Sequence, residues 1–127
     1  MDAADAGQSR WTKFAEADDD SAIYYVDDSR IVFISQAIVQ WWEKAEYKTH
    51  PNNWDHDISL YEANCSEGKT RAISINVYFT NGEKASTANP GPWRYVVPET
   101  VMEGKFNYVC RRLSAHQSPP SASNRSL

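Results

Sequence analysis

Ile73, Ile75, Val77 and Phe79 fall on every second position of one segment, and Asn81-Gly82 follows directly behind them. Period-two spacing puts those four side chains on one face of an extended strand. Asn-Gly tolerates the positive φ angles that a two-residue hairpin turn requires, so Glu83 to Ala88 should return antiparallel. A strand with one apolar face must cover that face, which commits the rest of the chain to building an antiparallel sheet and something to lay on it.

Other segments supply the sheet. Ile23-Tyr24-Tyr25-Val26 runs into Asp27-Asp28-Ser29, whose side chains bond nearby backbone amides in turns, and Ile31 to Ile34 resumes the β pattern, which predicts a hairpin. Alternation continues from Ile38 to Tyr47, where Val39, Trp41, Ala45 and Tyr47 share one face and Gln40, Lys44 and Glu46 the other. An amphipathic helix competes here, but the aromatic and β-branched content favours a strand. Sixteen of the 127 residues are Phe, Trp or Tyr, a usage that also favours sheets. Lys48 to Asp57 is polar and contains Pro51, and is expected to be an exposed loop. Tyr61 to Cys65 and Arg71 to Thr80 flank a plausible turn at Ser66-Glu67-Gly68-Lys69. Asn89-Pro90-Gly91-Pro92 forces a further break before a strand over Trp93 to Val97.

Pro98 ends the β pattern. Thr100 and Glu103 have capping-box spacing, which starts a helix in which Met102, Phe106, Val109, Cys110 and Leu113 form one apolar stripe facing the sheet. Gly104 weakens that helix by up to ~1 kcal/mol relative to Ala, and its small size would allow close packing on a strand. Residues 1–10 and 114–127 are small, polar and Pro/Ser-rich, and are expected to be flexible tails around one domain at 11–113.

The formal net charge of −4 argues against a phosphate-backbone binder, which needs clustered cations. The Arg111-Arg112 pair reads as cations near a helix C-terminus. No stretch approaches the ~18 apolar residues that span a bilayer, and Ile31 to Val39 is interrupted by Ser35 and Gln36. Met1 to Arg10 lacks the pattern of a secretory signal, so a signal is either absent by nature or replaced by an initiating Met. The two cysteines are free thiols in a reducing compartment or one bridge in an oxidising one, and their number alone does not decide.

The order of Ile23-Tyr-Tyr-Val-Asp27, Val39-Gln-Trp-Trp42, Tyr61-Glu-Ala-Asn-Cys65, Arg71, Val77-Tyr78, Asn81-Gly82, Pro92-Trp93, Val97-Pro98 and a final helix with Cys110 resembles the bacterial surface-adhesin protein E-like family. The resemblance spans about residues 11–112. It implies an α+β fold, mainly antiparallel β: about six strands packed on a C-terminal helix, with Cys65 and Cys110 joined. It also implies a secreted, periplasmic or outer-membrane-associated protein that adheres to host matrix or envelope proteins.

The residues themselves can be weighed against that expectation. A reactive thiol needs a nearby cation or a helix N-terminus, whereas Cys110 lies late in its helix. A bridge closing a loop of about 46 residues would stabilise by ~4 kcal/mol in the entropic account. His50, Asp55, His56 and Asp57 could hold zinc if the backbone gathered them, but their spacing matches no ligand motif and solvated loop residues are the plainer reading. Asp18-Asp19-Asp20 lacks the glycine and distal glutamate of a calcium loop and reads as a turn. No nucleophile elbow or phosphate-cradling glycine run is present, so neither catalysis nor a cofactor is expected.

Trp41 and Trp42 point to opposite faces, which makes that strand the best hint of an interface. Trp54 is a lid over the sheet edge or an exposed anchor, and Trp93 reads as core. Trp41, Trp42, Tyr47 and Trp54 are therefore the candidate partner-binding residues of a non-catalytic envelope module. Its expected partner is a protein or a second copy of the chain, with no nucleic acid and no membrane contact except through an anchor outside this sequence. The alternatives are an enzyme or metal-dependent protein using the His50 to Asp57 loop, and a structural envelope protein without a discrete ligand.

Overall fold

The structure, a computed structural model, describes residues 10–117. Eight strands form one antiparallel sheet: β1 (Trp11–Glu16), β2 (Ala22–Asp27), β3 (Val32–Phe33), β4 (Ile38–Tyr47), β5 (Trp54–Asn64), β6 (Lys69–Phe79), β7 (Lys84–Thr87) and β8 (Arg94–Tyr95). The main path runs β1-β2-β4-β5-β6-β7, with β3 added to β4 and β8 to β6. A single long helix, α1 (Val101–Gln117), lies on one face. The expected six-stranded sheet with its C-terminal helix is thus present, lengthened by two short pairings.

Hairpin turns follow their chemistry. Between β5 and β6 the Asn64 carboxamide accepts from the amides of Ser66 and Glu67, and Gly68 supplies a φ of 69°. Gly82, at φ 90°, turns β6 into β7. At the start of α1 the Thr100 hydroxyl accepts from the Glu103 amide at 3.3 Å, while Glu103 bonds back to the Glu99 amide rather than to Thr100. The capping box is therefore displaced by one residue on its return arm.

Several expectations need correction. β2 and β3 do not form a hairpin: β2 pairs with Glu43 to Tyr47 and β3 with Val39 and Gln40. Both run antiparallel to β4 along its same edge, because the Asp28–Arg30 3₁₀ turn, capped by Asp27, steps the chain forward instead of reversing it. The loop expected over Lys48 to Asp57 spans only 48–53, since β5 begins at Trp54 and pairs on both sides from His56 onward. Polar side chains hid that strand: His56 lies on one face, and Asp57 is buried on the other, bonded to the hydroxyls of Tyr47 and Ser59.

In β6, Leu60 pairs with Ser74 but Tyr61 with Ala72, so a bulge at Ile73 resets the parity. Thr70 and Ala72 then share the face of Ile75 and Val77, and Ile73 drops out of the expected stripe. Only Arg94–Tyr95 pairs within the strand expected over Trp93 to Val97. Gly104 is exposed and approaches no strand. The helix continues through residues 114–117, where a tail was expected. The tails over 1–9 and 118–127 lie outside the described residues.

The core joins Val26, Val39, Trp41 and Ala63 of the sheet to Val109 of α1, with Phe14, Phe106, Tyr108 and Cys110 packed against it. Cys65, directly after β5, is bonded to Cys110. At its outer side α1 is pinned to the 3₁₀ turn by Tyr108 and Arg112, both donating to the Asp28 carboxylate.

Candidate interaction surface

Cross-strand register sorts the sheet into two faces. Under the helix lie Val39↔Ala63↔Thr70, Trp41↔Tyr61↔Ala72, Glu43↔Ser59↔Ile75 and Ala45↔Asp57↔Val77. On the opposite face lie Gln40↔Glu62↔Arg71, Trp42↔Leu60↔Ser74, Lys44↔Ile58↔Asn76 and Glu46↔His56↔Tyr78, flanked by Ile23 and Tyr25 of β2. Among the described residues no element lies across this second face.

The covered face carries charge as well as apolar side chains. Glu43 and Lys105 are each over 90% buried and form an ion pair at 2.9 Å. The Trp41 indole donates to the other Glu43 oxygen at 3.1 Å, and the Lys105 ammonium sits 3.8 Å from the Tyr24 ring centre. Each charge thus has its own partners, as burial demands. Burial pushes the Glu43 carboxyl above its ordinary range, against the pull of Lys105.

Three tyrosines border this cluster, and burial holds the hydroxyls of Tyr24, Tyr47 and Tyr61 above their ordinary value near 10; Asp57 adds to the shift at Tyr47 and Glu43 at the other two. Raised pKa values mean that these groups stay protonated in the fold when the unfolded chain has ionised. Their contribution is fully present below pH about 10 and is lost as pH rises beyond it. Denaturant melts between pH 8 and 11 should therefore lose stability steeply, with much of the phenolate absorbance appearing only on unfolding. Ionisation of all seven tyrosines before any loss of structure would contradict this.

On the open face, ions are paired internally. Arg71 donates to Glu62 at 2.8 Å, Glu62 also accepts from the Gln40 carboxamide at 2.6 Å, and the Arg71 guanidinium lies 4.6 Å from the Trp93 ring centre. Lys44 pairs with Glu46 at 3.4 Å. His56 stacks on Tyr78 at 4.5 Å. The face is consequently close to neutral, with Trp42, Leu60 and Ile58 at its middle.

The residues singled out from sequence fall on different faces. Trp41 is fully buried and bonded to Glu43, so it belongs to the core and cannot meet a partner. Trp54 and Tyr47 pack edge to face at 5.7 Å on the helix side, and β5, which Trp54 opens, is an interior strand and not a sheet edge. Trp42 alone of the four points to the open face. Trp93, expected in the core, is half-buried at the sheet margin against Arg71. Strand β4 is central and paired on both edges, so only its side chains, not its backbone, remain for association.

His50 and His56 each approach Asp55, at 3.7 and 2.8 Å, but Asp57 lies on the opposite face, and the four do not converge. No group of three or more His, Cys, Asp or Glu among the described residues is arranged to hold a metal. Asp18 to Asp20 forms a turn in which Asp19 accepts from the Ser21 amide.

Sequence reasoning passed over the Glu62–Arg71 pair and Lys105. The signal for Glu62–Arg71 was available, because the turn at Ser66 to Lys69 places the two opposite each other. Glu43 sits in the inward phase of β4 and Lys105 among the stripe positions of α1, which is the corresponding signal for the buried pair.

An antiparallel sheet covered on one face by a disulfide-tethered helix, with a neutral, aromatic-centred open face, defines a small α+β domain. The chain belongs to the Surface-adhesin protein E family, whose profile matches residues 11–111. Among solved structures, Haemophilus influenzae protein E shares the fold. One crystal form superposes with a TM-score of 0.59 at 15% identity, covering 84% of this chain and 93% of that one. Another structure of the same protein gives 0.58 at 15%, covering 85% and 89%. No curated protein matches this chain.

Proposed function

We propose that this chain is a non-catalytic binding module of the bacterial envelope that engages a protein through the open face of its sheet, with Trp42 at the centre. Membership of a surface-adhesin family supports the class of function and its place at the cell surface or in the envelope. The observation that carries the choice of surface is the half-buried Trp42, set between Leu60 and the internally neutralised Gln40–Glu62–Arg71 row, on a face that no described element covers.

Aromatic rings ringed by satisfied polar groups are the usual anchors of protein interfaces, since they bury apolar area without stranding a charge. Completing the burial of the Trp42 ring contributes on the order of 1–3 kcal/mol at ~25 cal/mol/Å². Internal ion pairing removes the long-range field that would recruit a polyanion, so a protein surface of mixed polarity is the complementary partner.

The test is affinity capture with the purified domain from host-matrix and envelope extracts, repeated with Trp42→Ser. The captured protein should bind the variant at least about tenfold more weakly, while the melting temperature changes little. Capture that is indifferent to Trp42→Ser and to Arg71→Ala would move the interface elsewhere.

A further inference from the structure

β1 pairs with β2 only as far as Trp11 opposite Asp27, and β3, which continues the β2 side of β4, has no outer neighbour among the described residues. The Ile34 amide donates to the Ile38 carbonyl at 2.9 Å, and Phe33 stands opposite Val39. Hydrogen-bonded and non-bonded pairs alternate along an antiparallel ladder, so the N–H and C=O of Phe33 point away from β4, toward that free edge. Such an edge accepts a further strand unless a charge, a proline or a covering element blocks it. The residues on either side of Phe33 are Val32 and Ile34, which are apolar and 49% and 51% exposed.

On the helix side of this edge the last turns of α1 approach β3. His116 stacks on the Phe33 ring with centres 4.2 Å apart. Two open recesses of about 500 and 660 Å³ border that stack, the first also lined by Ile31 and Ala115, the second by Ser35 and Gln36. Asp28 and Arg112, which reach the first recess, are paired with each other at 3.2 Å. Their charges are thus matched within the fold, and an uncharged side chain is the complementary guest. A free strand edge beside a groove under a helix is the arrangement of strand addition, in which main-chain bonds hold an extended peptide and alternate side chains enter the groove.

We infer that the outer edge of β3 takes an extended, uncharged apolar peptide segment of a partner as an additional strand. The peptide residue opposite Phe33 exchanges both main-chain bonds with it and turns its side chain into the groove toward Ala115 and His116. Its two neighbours lie against Val32 and Ile34. This site is distinct from the surface around Trp42, and its test does not depend on the partner proposed for that surface.

The probe is the blocked peptide acetyl-Lys-Thr-Val-Leu-Val-Thr-Lys-amide, titrated into the full chain while the backbone amide of Phe33 is followed by NMR. Its control is the same peptide N-methylated at the central Leu, which keeps charge and apolar area but loses the donor to the Phe33 carbonyl. The parent peptide should bind saturably with the Phe33 amide shifting and gaining exchange protection, and the N-methyl peptide at least about tenfold more weakly. Ala115→Trp, an exposed position late in α1, should fill the groove and weaken the parent peptide by a similar factor, with the melting temperature little changed. Equal binding of the two peptides overturns the inference, as does indifference to Ala115→Trp or no saturable shift by about 5 mM. A Phe33 amide that moves on dilution of the protein alone, in step with a fall in molecular mass, would give the edge to a second copy of the chain and overturn it too.

Discussion

Replacing both Cys65 and Cys110 by Ala is expected to lower the unfolding free energy by about 3–4 kcal/mol and the melting temperature by roughly 10–20 °C. The bridge spans 45 positions of sequence, from the end of β5 to the middle of α1, so its removal returns a large loop to the unfolded ensemble. The helix is otherwise held at separated points: Lys105 inside, and Tyr108 with Arg112 on Asp28. None of these restores the covalent limit on the unfolded chain. A loss below about 1 kcal/mol would mean that the tether contributes little beyond the packing of Val109 and Leu113.

Lys105→Met should cost about 3–5 kcal/mol, because it strands the Glu43 carboxylate in the core. A buried ion pair is not in itself a large stabiliser; the penalty arises when one partner is removed. The double replacement Glu43→Gln with Lys105→Met should therefore regain most of the loss, with Gln still accepting from the Trp41 indole. Urea melts of the two single variants and the double variant form the cycle that separates these terms. Equal destabilisation of Lys105→Met and the double variant would show that shape, through the lysine stem on Tyr24, matters more than charge.

Much of the fold could be read from the chain because the relevant forces are local. The alternation in β4 and β6, the Asn81-Gly82 turn, the Thr100 cap and the apolar stripe of α1 each depend on residues within a turn or a strand. The errors share a different origin. The bulge at Ile73 and the forward step after Asp27 are settled by pairing with β5 and β4, and a strand partner far along the chain leaves no mark on local periodicity. Polar residues also concealed order: Asp57 reads as loop until Tyr47 and Ser59 are brought to it, and Glu43, in the inward phase of β4, meets its partner only when Lys105 arrives from 62 residues away.

The candidate surface was legible only in part. Opposite orientation of Trp41 and Trp42 follows from strand geometry alone, but which of them faces out depends on where α1 lies. Tyr47 and Trp54 went to the covered side for the same reason. The relay of Gln40, Glu62 and Arg71 beside Trp93 needs the register of three strands, and Trp93 left the expected core because β8 pairs over only two residues at the β6 margin.

On the proposed function, partners dock on the open face of the sheet and not on the helix. Amide hydrogen exchange of the domain, free and saturated with its captured protein, tests it most directly. Protection that rises across Gln40 to Lys44, Ile58 to Glu62 and Arg71 to Asn76, while α1 is unchanged, is the predicted result. Protection confined to α1 and the Asp28–Arg30 turn, with the central strands unaffected, would contradict it.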